Sequence, residues 1–371
     1  MTERAEDFYR VLGLPSLRVH PGRDHFDFST PGRIILLVGP MGSGKTGFAA
    51  QIWRDARVAK TKVDPDGRWK SPAGADLRKV FFVRSRLDRS RFADYPEDAL
   101  AYRGGYEQLG GSIADIGSSF DLETLVDQHP DTGTWIVDEA SFYDERMAYA
   151  IQRLARSRGL VFVLPTLILN FRKAPFNATA GLLLEVATDV VPLTAYCEHE
   201  TCLTNSTYTY RYYTVNGEEC PALFFDPLII VGGDVARASG RDPDYATRCT
   251  EHHVLPGKDY TFLVLKPLGE RAAVGDVSGL EAELYALHND PLRSQLGQWL
   301  TREHAGDTPT DRLSRNALAV PYLAERALCY VFAEQNLIGA QTVRDLTHKL
   351  DLDRSYLEER LSDNRRPVDF G

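Results

Sequence analysis

Residues 33–50 read R-I-I-L-L-V-G-P-M-G-S-G-K-T-G-F-A-A, and this stretch limits the fold more than any other. Ile34 to Val38 is a short, uninterrupted apolar run, the pattern of a parallel strand covered on both faces. Gly39, Gly44, Lys45 and Thr46 then satisfy G-x-x-x-x-G-K-[ST], the phosphate-binding loop. Gly39, Gly42 and Gly44 let the backbone turn tightly, while Pro40, Met41 and Ser43 complete the loop. A helix starting near Lys45 adds the positive end of its dipole. In such a loop Lys45 reaches the β- and γ-phosphates of a nucleotide such as ATP, and Thr46 ligates Mg²⁺. The strand–loop–helix context predicts an α/β fold, a P-loop NTPase-type parallel sheet flanked by helices.

Further motifs follow in chain order. Lys79 to Val83 reads as a second strand, and the basic run R-S-R-L-D-R-S-R-F follows it, including Arg91. Arginines at the carboxyl end of a strand suit forked contacts with phosphate. Gly104 to Ser119 is rich in Gly and Ser and reads as a mobile segment. T-W-I-V-D-E (Thr134 to Glu139) is an apolar strand ending in two acids. Asp138 is placed to hold Mg²⁺ and Glu139 to accept a proton from an attacking hydroxyl. Leu160 to Leu169 reads as another buried strand whose pairing Pro165 limits. Phe171 and Phe176 beside Arg172 fit either a base-stacking pocket or plain core.

Composition then shifts. Cys197, His199, Cys202, Cys249, His252 and His253 form two clusters about 50 residues apart, the layout of paired metal knuckles. Cys197, Cys202, Cys249 and His252 suit a tetrahedral structural Zn²⁺ site, with His199 and His253 as rival ligands. Between the knuckles, Thr207 to Val215 and Pro227 to Gly233 alternate as a hairpin would. Residues 275–371 look largely helical, and two short helices near 343–361 form either a helix-turn-helix or a helical hairpin used for assembly. The acids Asp351, Asp353, Glu358 and Glu359 sit where a DNA-reading helix carries Arg, Lys, Asn or Gln. A net charge of −9 argues against a whole-surface grip on nucleic acid, leaving any such contact to the C-terminal region. No apolar run approaches the roughly 20 residues that span a bilayer. The N-terminal MTERAEDFYR has no apolar signal core, so a cytoplasmic protein is expected.

Together these motifs resemble the zinc-containing, P-loop type of the thymidine kinase family. G-P-M-G-S-G-K-T looks like its G-P-M-x-S-G-K-[ST], and D-E-A-S-F-Y-D (Asp138 to Asp144) is similar to D-E-x-Q-F-x-x-D. N-F-R-K-A-P-F (Asn170 to Phe176) looks like D-F-x-x-x-P-F, and L-T-A-Y-C (Leu193 to Cys197) like L-T-A-x-C. T-Y-T-Y-R (Thr207 to Arg211) and I-V-G-G (Ile230 to Gly233) resemble the two sides of the family's lasso loop, and Tyr245 with Cys249 fits Y-x-x-x-C. The resemblance covers roughly residues 33–258. It implies γ-phosphoryl transfer from ATP to the 5′-hydroxyl of thymidine or a related deoxypyrimidine nucleoside, with Glu139 as general base. Met41, Phe142, Phe171, Phe176 and Tyr245 would line the nucleoside pocket, with Tyr208 and Gly232 from the lasso. It also implies a homo-oligomer, commonly a tetramer.

The departures are specific. Ser141 stands where the family has Gln, Ile168 where an Asp is usual, and Asn170 where Asp often precedes Phe171. The family's D-x-R is blurred, since Asp88 is followed by Arg at 89 and 91. The lasso and first knuckle are longer. The expected organisation is an N-terminal extension (1–32), a P-loop kinase domain (33–194), a zinc-binding lasso domain (195–262) and a helical region (263–371). The alternative is a P-loop NTPase on the same fold whose helical region binds a protein or DNA partner.

Overall fold

The computed structural model describes residues 24–85, 95–102, 105–230 and 241–371. The first half contains β1 (Ile34–Val38), α1 (Lys45–Ala59), β2 (Asp76–Ser85), β3 (Ala99–Tyr102), β4 (Gly105–Gln108) and β5 (Ile113–Ile116). It continues with α2 (Ser119–Gln128), β6 (Thr132–Val137), α3 (Arg146–Arg158), β7 (Val161–Thr166), α4 (Ala178–Val186) and β8 (Asp189–Pro192). Six of these strands form one sheet in the order β5-β2-β6-β7-β1-β8, and every pairing in it is parallel.

The apolar runs explain the layering. Successive strand residues point to opposite faces, so Ile34, Leu36, Phe81, Val83, Trp135 and Phe162 pack with Met147, Ile151 and Leu154 of α3. Ile35, Leu37, Phe82, Ile136 and Val163 pack with Ala49, Ile52 and Trp53 of α1 on the other face. Both faces are covered, which is why the strands read as continuous apolar segments.

Two segments of this half stand out against the expectations. The Gly- and Ser-rich segment holds regular structure, since Ile113–Ile116 is the edge strand beside β2. Pro165 lies in a central strand, opposite Leu37. The β6–β7 ladder ends at Ile136–Val163, as expected where Pro165 has no amide to donate toward β6, although its carbonyl still accepts the Glu139 amide at 2.9 Å.

The second half begins with β9 (Ala195–Tyr196), β10 (Asn205–Ser206), β11 (Tyr208–Val215), β12 (Glu218–Pro221) and β13 (Asp244–Arg248). β11 is the centre of a three-stranded antiparallel sheet, with β12 on one side and β13 on the other. The hairpin partner of β11 is therefore β12; of the expected Pro227 to Gly233, residues 227–230 pair with no strand and residues 231–233 lie outside the described residues. Asn216 (φ 53°) and Gly217 (φ 82°) make the two-residue turn, an Asn-Gly pair suited to type I′ geometry. Residues 227–230 instead belong to no strand and form a strap with a bend at Leu228.

A helical region completes the chain. Lys258–Tyr260 and a π turn, Thr261–Leu265, lead into α5 (Lys266–Ala273). Then come α6 (Ser278–Asn289), α7 (Gln295–Glu303), α8 (Pro309–Asn316), α9 (Leu323–Cys329), α10 (Ala340–Lys349) and α11 (Arg354–Asp363). Its core of Leu280, Leu284, Leu300, Leu328, Leu346, Leu357 and Leu361 is continuous with Tyr213, Phe225 and Phe171. Among the described residues no helix is long and apolar enough to cross a membrane.

Candidate functional site

The phosphate loop joins β1 to α1 at the carboxyl edge of the sheet, where open α/β sheets bind ligands. Gly42 (φ 78°) and Gly44 (φ 83°) take left-handed backbone that a side chain would strain. A Cβ on Gly39 would lie 2.6 Å from the Leu193 carbonyl oxygen, so only glycine fits there. Lys45 opens α1 and is buried; its Nζ donates to the carbonyls of Gly39 and Pro40, each at 2.9 Å. Burial pulls its pKa down, against the opposing pull of Glu139 and Asp138. The ammonium thus waits folded against the loop whose phosphates it would meet. Thr46 follows it in the first turn of α1. The Met41 amide donates to Thr209 Oγ1 at 3.2 Å, tying the loop to β11.

Asp138 and Glu139 leave the end of β6, two strands away from β1. Asp138 is buried, and its amide bonds the Val83 carbonyl at 2.9 Å. The Glu139 amide bonds the Pro165 carbonyl at 2.9 Å and Asp138 Oδ1 at 3.1 Å. Glu139 itself has φ 48° and ψ 43°, a left-handed backbone uncommon for a residue with a side chain. Such strain persists where neighbours over-determine it, which is common at reactive sites.

The residues that depart from the resembled family are each engaged. The Ser141 amide donates to Thr166 Oγ1 at 3.1 Å, and Asn177 Nδ2 donates to the Ser141 carbonyl at 2.7 Å. Asn170 Oδ1 accepts the amides of Arg172 and Ala174 at 2.9 and 3.3 Å, while its Nδ2 donates to the Pro175 carbonyl at 3.2 Å. An Asp at 170 would lose that donor, so the amide fits this turn. Ile168 packs against the apolar wall around Phe176.

Between the phosphate loop, the acids and β11 lies a cavity of about 150 Å³, the space open to the centre of a water-sized sphere. It brings together Met41, Glu139, Phe142, Phe171, Phe176 and Tyr245. Phe142 and Phe176 meet edge to face, with centroids 5.0 Å apart. Tyr208 does not line the cavity. Side chains alternate along β11, so Thr209 and Arg211 face the cavity while Tyr208 packs against His253 and lies under Lys173 Nζ at 4.5 Å. Phe171 is core and pocket at once: it is 3% exposed, and the Arg211 guanidinium covers its ring at 4.0 Å. Arg211 also lies 5.3 Å from the Tyr245 ring, so a base has no empty slot between Phe171 and Tyr245. Arg91 and Gly232 lie outside the described residues.

Thr209, Arg211, Leu228, Ile229, Ile230, Asp363 and Arg365 also line the cavity; the first five lie inside the quoted lasso segments without having been assigned to the pocket, and the last two lie in none. Period-two alternation from Tyr208 was the available signal for Thr209 and Arg211. Nothing local pointed to Asp363 and Arg365.

A second cluster lies beyond β11. One ligand atom from each of Cys197, Cys202, Cys249 and His252 falls within 4.8 Å of the others, a set able to hold a metal ion. Cys202 Sγ is 3.9 Å from Cys249 Sγ, close to the roughly 3.8 Å that tetrahedral 2.3 Å zinc–sulfur bonds dictate. Cys249 Sγ and Cys197 Sγ lie 3.3 and 3.7 Å from His252 Nδ1. Hydrogen bonds involving Thr204 pull the Cys202 thiol down to about 7, while burial raises that of Cys197. The rival histidines are used otherwise. His199 stacks on His252 at 3.9 Å and its Nδ1 accepts from Thr201; His253 Nε2 bonds the Thr209 carbonyl at 3.2 Å.

Comparisons with known proteins add little. No family model matches the chain, and no curated protein does. Among solved structures, a KaiC-like protein from the hyperthermophilic archaeon Pyrococcus horikoshii OT3 is 16% identical, covering 51% of this chain and 89% of that one. Its TM-score is 0.25, too low to bear on fold or activity.

Proposed function

We propose that this protein is an ATP-dependent deoxynucleoside kinase acting on thymidine or a related deoxypyrimidine nucleoside. One observation carries the reading: a single cavity is lined by a carboxylate, Glu139, by Met41 of the phosphate loop, and by the aromatic rings of Phe142, Phe171, Phe176 and Tyr245. A plain NTPase needs the loop and Asp138 but has no use for a largely apolar pocket beside Glu139.

Lys45 swings from its loop carbonyls onto the β- and γ-phosphates. Thr46 and Asp138 would hold Mg²⁺, which neutralises charge on the phosphates. Met41, Phe142 and Phe176 exclude water around the acceptor. Glu139 takes the proton of the acceptor 5′-hydroxyl as its oxygen bonds the γ-phosphorus and the bond to ADP breaks. The remaining demand is alignment. For the second cluster, three thiolates and one imidazole favour Zn²⁺ in a closed structural site over a catalytic one.

The partner- or DNA-binding alternative draws less support. Tyr356, Leu357, Arg360 and Leu361 of α11 are buried, and Glu358 and Glu359 are among its exposed residues. An acidic outer face is repelled by phosphates.

A coupled assay with ATP, Mg²⁺ and each nucleoside in turn tests the proposal. Thymidine or a deoxypyrimidine relative is turned over, and Glu139→Gln lowers kcat by about 10²–10⁴-fold. No turnover of any nucleoside, with ATP hydrolysis raised by DNA instead, refutes it.

A further inference from the structure

The turn after α11 reaches the cavity from the far end of the sequence. Asp363 and Arg365 both line it. Between them, Asn364 grips the strap: its Oδ1 accepts the Ile229 amide at 3.1 Å, and its Nδ2 donates to the Ile229 carbonyl at 2.9 Å. Leu228, Ile229 and Ile230 of that strap are themselves cavity walls. From the opposite side, Arg211 donates to the carbonyls of Pro227 and Leu228. The strap is thus held on one side by the lasso sheet and on the other by the helical region.

The turn itself is fixed. The Arg366 amide bonds the Leu361 carbonyl at 2.8 Å and the Arg365 amide bonds that of Ser362 at 2.9 Å, a Schellman closure. Its left-handed position usually takes Gly or Asn; here it is Arg365, with φ 58°. The strained backbone aims a guanidinium at the cavity mouth, where Nη2 donates to the Phe142 carbonyl at 2.6 Å. Asp363 Oδ2 is held at 2.9 Å by Nη1 of Arg360, which is completely buried. Leu357 and Leu361 root the helix in the helical core.

We propose that Asp363–Arg365 is an acceptor-recognition element, and that the helical region is a wall of the acceptor cavity. Arg365 is a specificity residue that donates to acceptor atoms on the nucleoside's polar edge. Asp363 accepts from its N–H or O–H groups, and Asn364 is a positioning residue acting through the strap. The identity of the ligand rests on the kinase reading; the wall does not.

The test compares wild type with Arg365→Ala, Asp363→Asn and Asn364→Ala. Steady-state kinetics with ATP and the preferred nucleoside are read beside amide exchange of residues 228–230. Arg365→Ala should raise the nucleoside KM about tenfold and leave the ATP KM within about twofold, the mark of lost acceptor binding. Asn364→Ala should speed exchange at the Ile229 amide about tenfold or more while the rest of α11 stays protected. Nucleoside KM values unchanged in all three variants, with wild-type melting temperatures, overturn the recognition role. Unchanged exchange at Ile229 in Asn364→Ala overturns the wall. A wild type that turns over no nucleoside refutes the kinase reading and the recognition role with it, and the exchange result then decides the wall alone.

Discussion

The two halves of the molecule are held together by different physics. The sheet half is filled with aliphatic and aromatic side chains stacked on both faces of six parallel strands. The lasso and helical half has its own apolar core, but its junctions are charged. Asp226, 1% exposed, receives Arg211 Nη1 and Tyr213 OH at 2.9 and 2.8 Å and is also paired with Arg326. Those four residues come from β11, the segment before the strap, and α9. Nearby, Arg172 of the pocket loop bonds Glu334 and the Asp226 carbonyl. Apolar packing tolerates small shifts; a buried carboxylate shared by two guanidiniums allows one register. The cavity lies along this seam, so its shape depends on charged contacts that lose heavily when one partner goes.

The sharpest way to break the comparison is to remove the metal we assign to the lasso. Cys249→Ser, or a strong chelator, should unravel β9 to β13 while amide protection of β1, β6 and β7 survives. Apparent zinc-binding free energies of about 10–16 kcal/mol in zinc-finger peptides make this the largest effect. Zinc analysis should give about one ion per chain, and finding none would end the assignment.

Asp226→Ala comes next. It strands two buried guanidiniums, and loss of one partner of a buried ion pair costs about 3–5 kcal/mol. Denaturant unfolding should show the loss, with exchange rising around β11 and α9. In the sheet half, Leu36→Ala should cost about 2–5 kcal/mol through its cavity, without disturbing the strap or the acceptor KM. If Leu36→Ala altered the acceptor KM as much as Asp226→Ala does, the two halves would not be separable.

The smallest effect is in pH. Burial alone would raise the Asp226 pKa, but the guanidiniums of Arg326 and Arg211 outweigh it and hold the carboxyl below its usual range. A group with a depressed folded-state pKa stabilises above the unfolded value, about 4, and loses that contribution as pH falls through the folded value. Acidification below about pH 4 should therefore lower the urea midpoint of wild type more than that of Asp226→Asn. Equal losses would show that other carboxylates dominate.

The same contrast explains what could be read from the chain in advance. The phosphate loop and the Asp138–Glu139 pair are local motifs, and the Cys/His set is two local pairs whose residue types announce a shared site although the fold must bring them together across about 50 residues. The parallel strands were legible because two covered faces leave an unbroken apolar run. The lasso pairing was not. Asn216-Gly217 carried the turn signal, but the alternating Pro227 to Gly233 segment competed with the short β12 on pattern alone. Tyr208 was misplaced by one position, which on a strand means the opposite face. Asp363 and Arg365 reach the cavity through a fold contact spanning most of the sequence, and no spacing rule encodes that.

The tryptophans carry an optical consequence. Trp135 is fully buried in β6 against Phe81, Trp53 is buried in α1, and Trp69 stacks under Arg78 at 4.6 Å. The fourth, Trp299 of α7, packs against the helical core. Three emitters thus report the sheet and one reports the helices. A protein with Trp299→Phe glows from the sheet alone, and the difference spectrum from wild type isolates the helical side. The two halves can be watched separately in a cuvette, with no label attached to either.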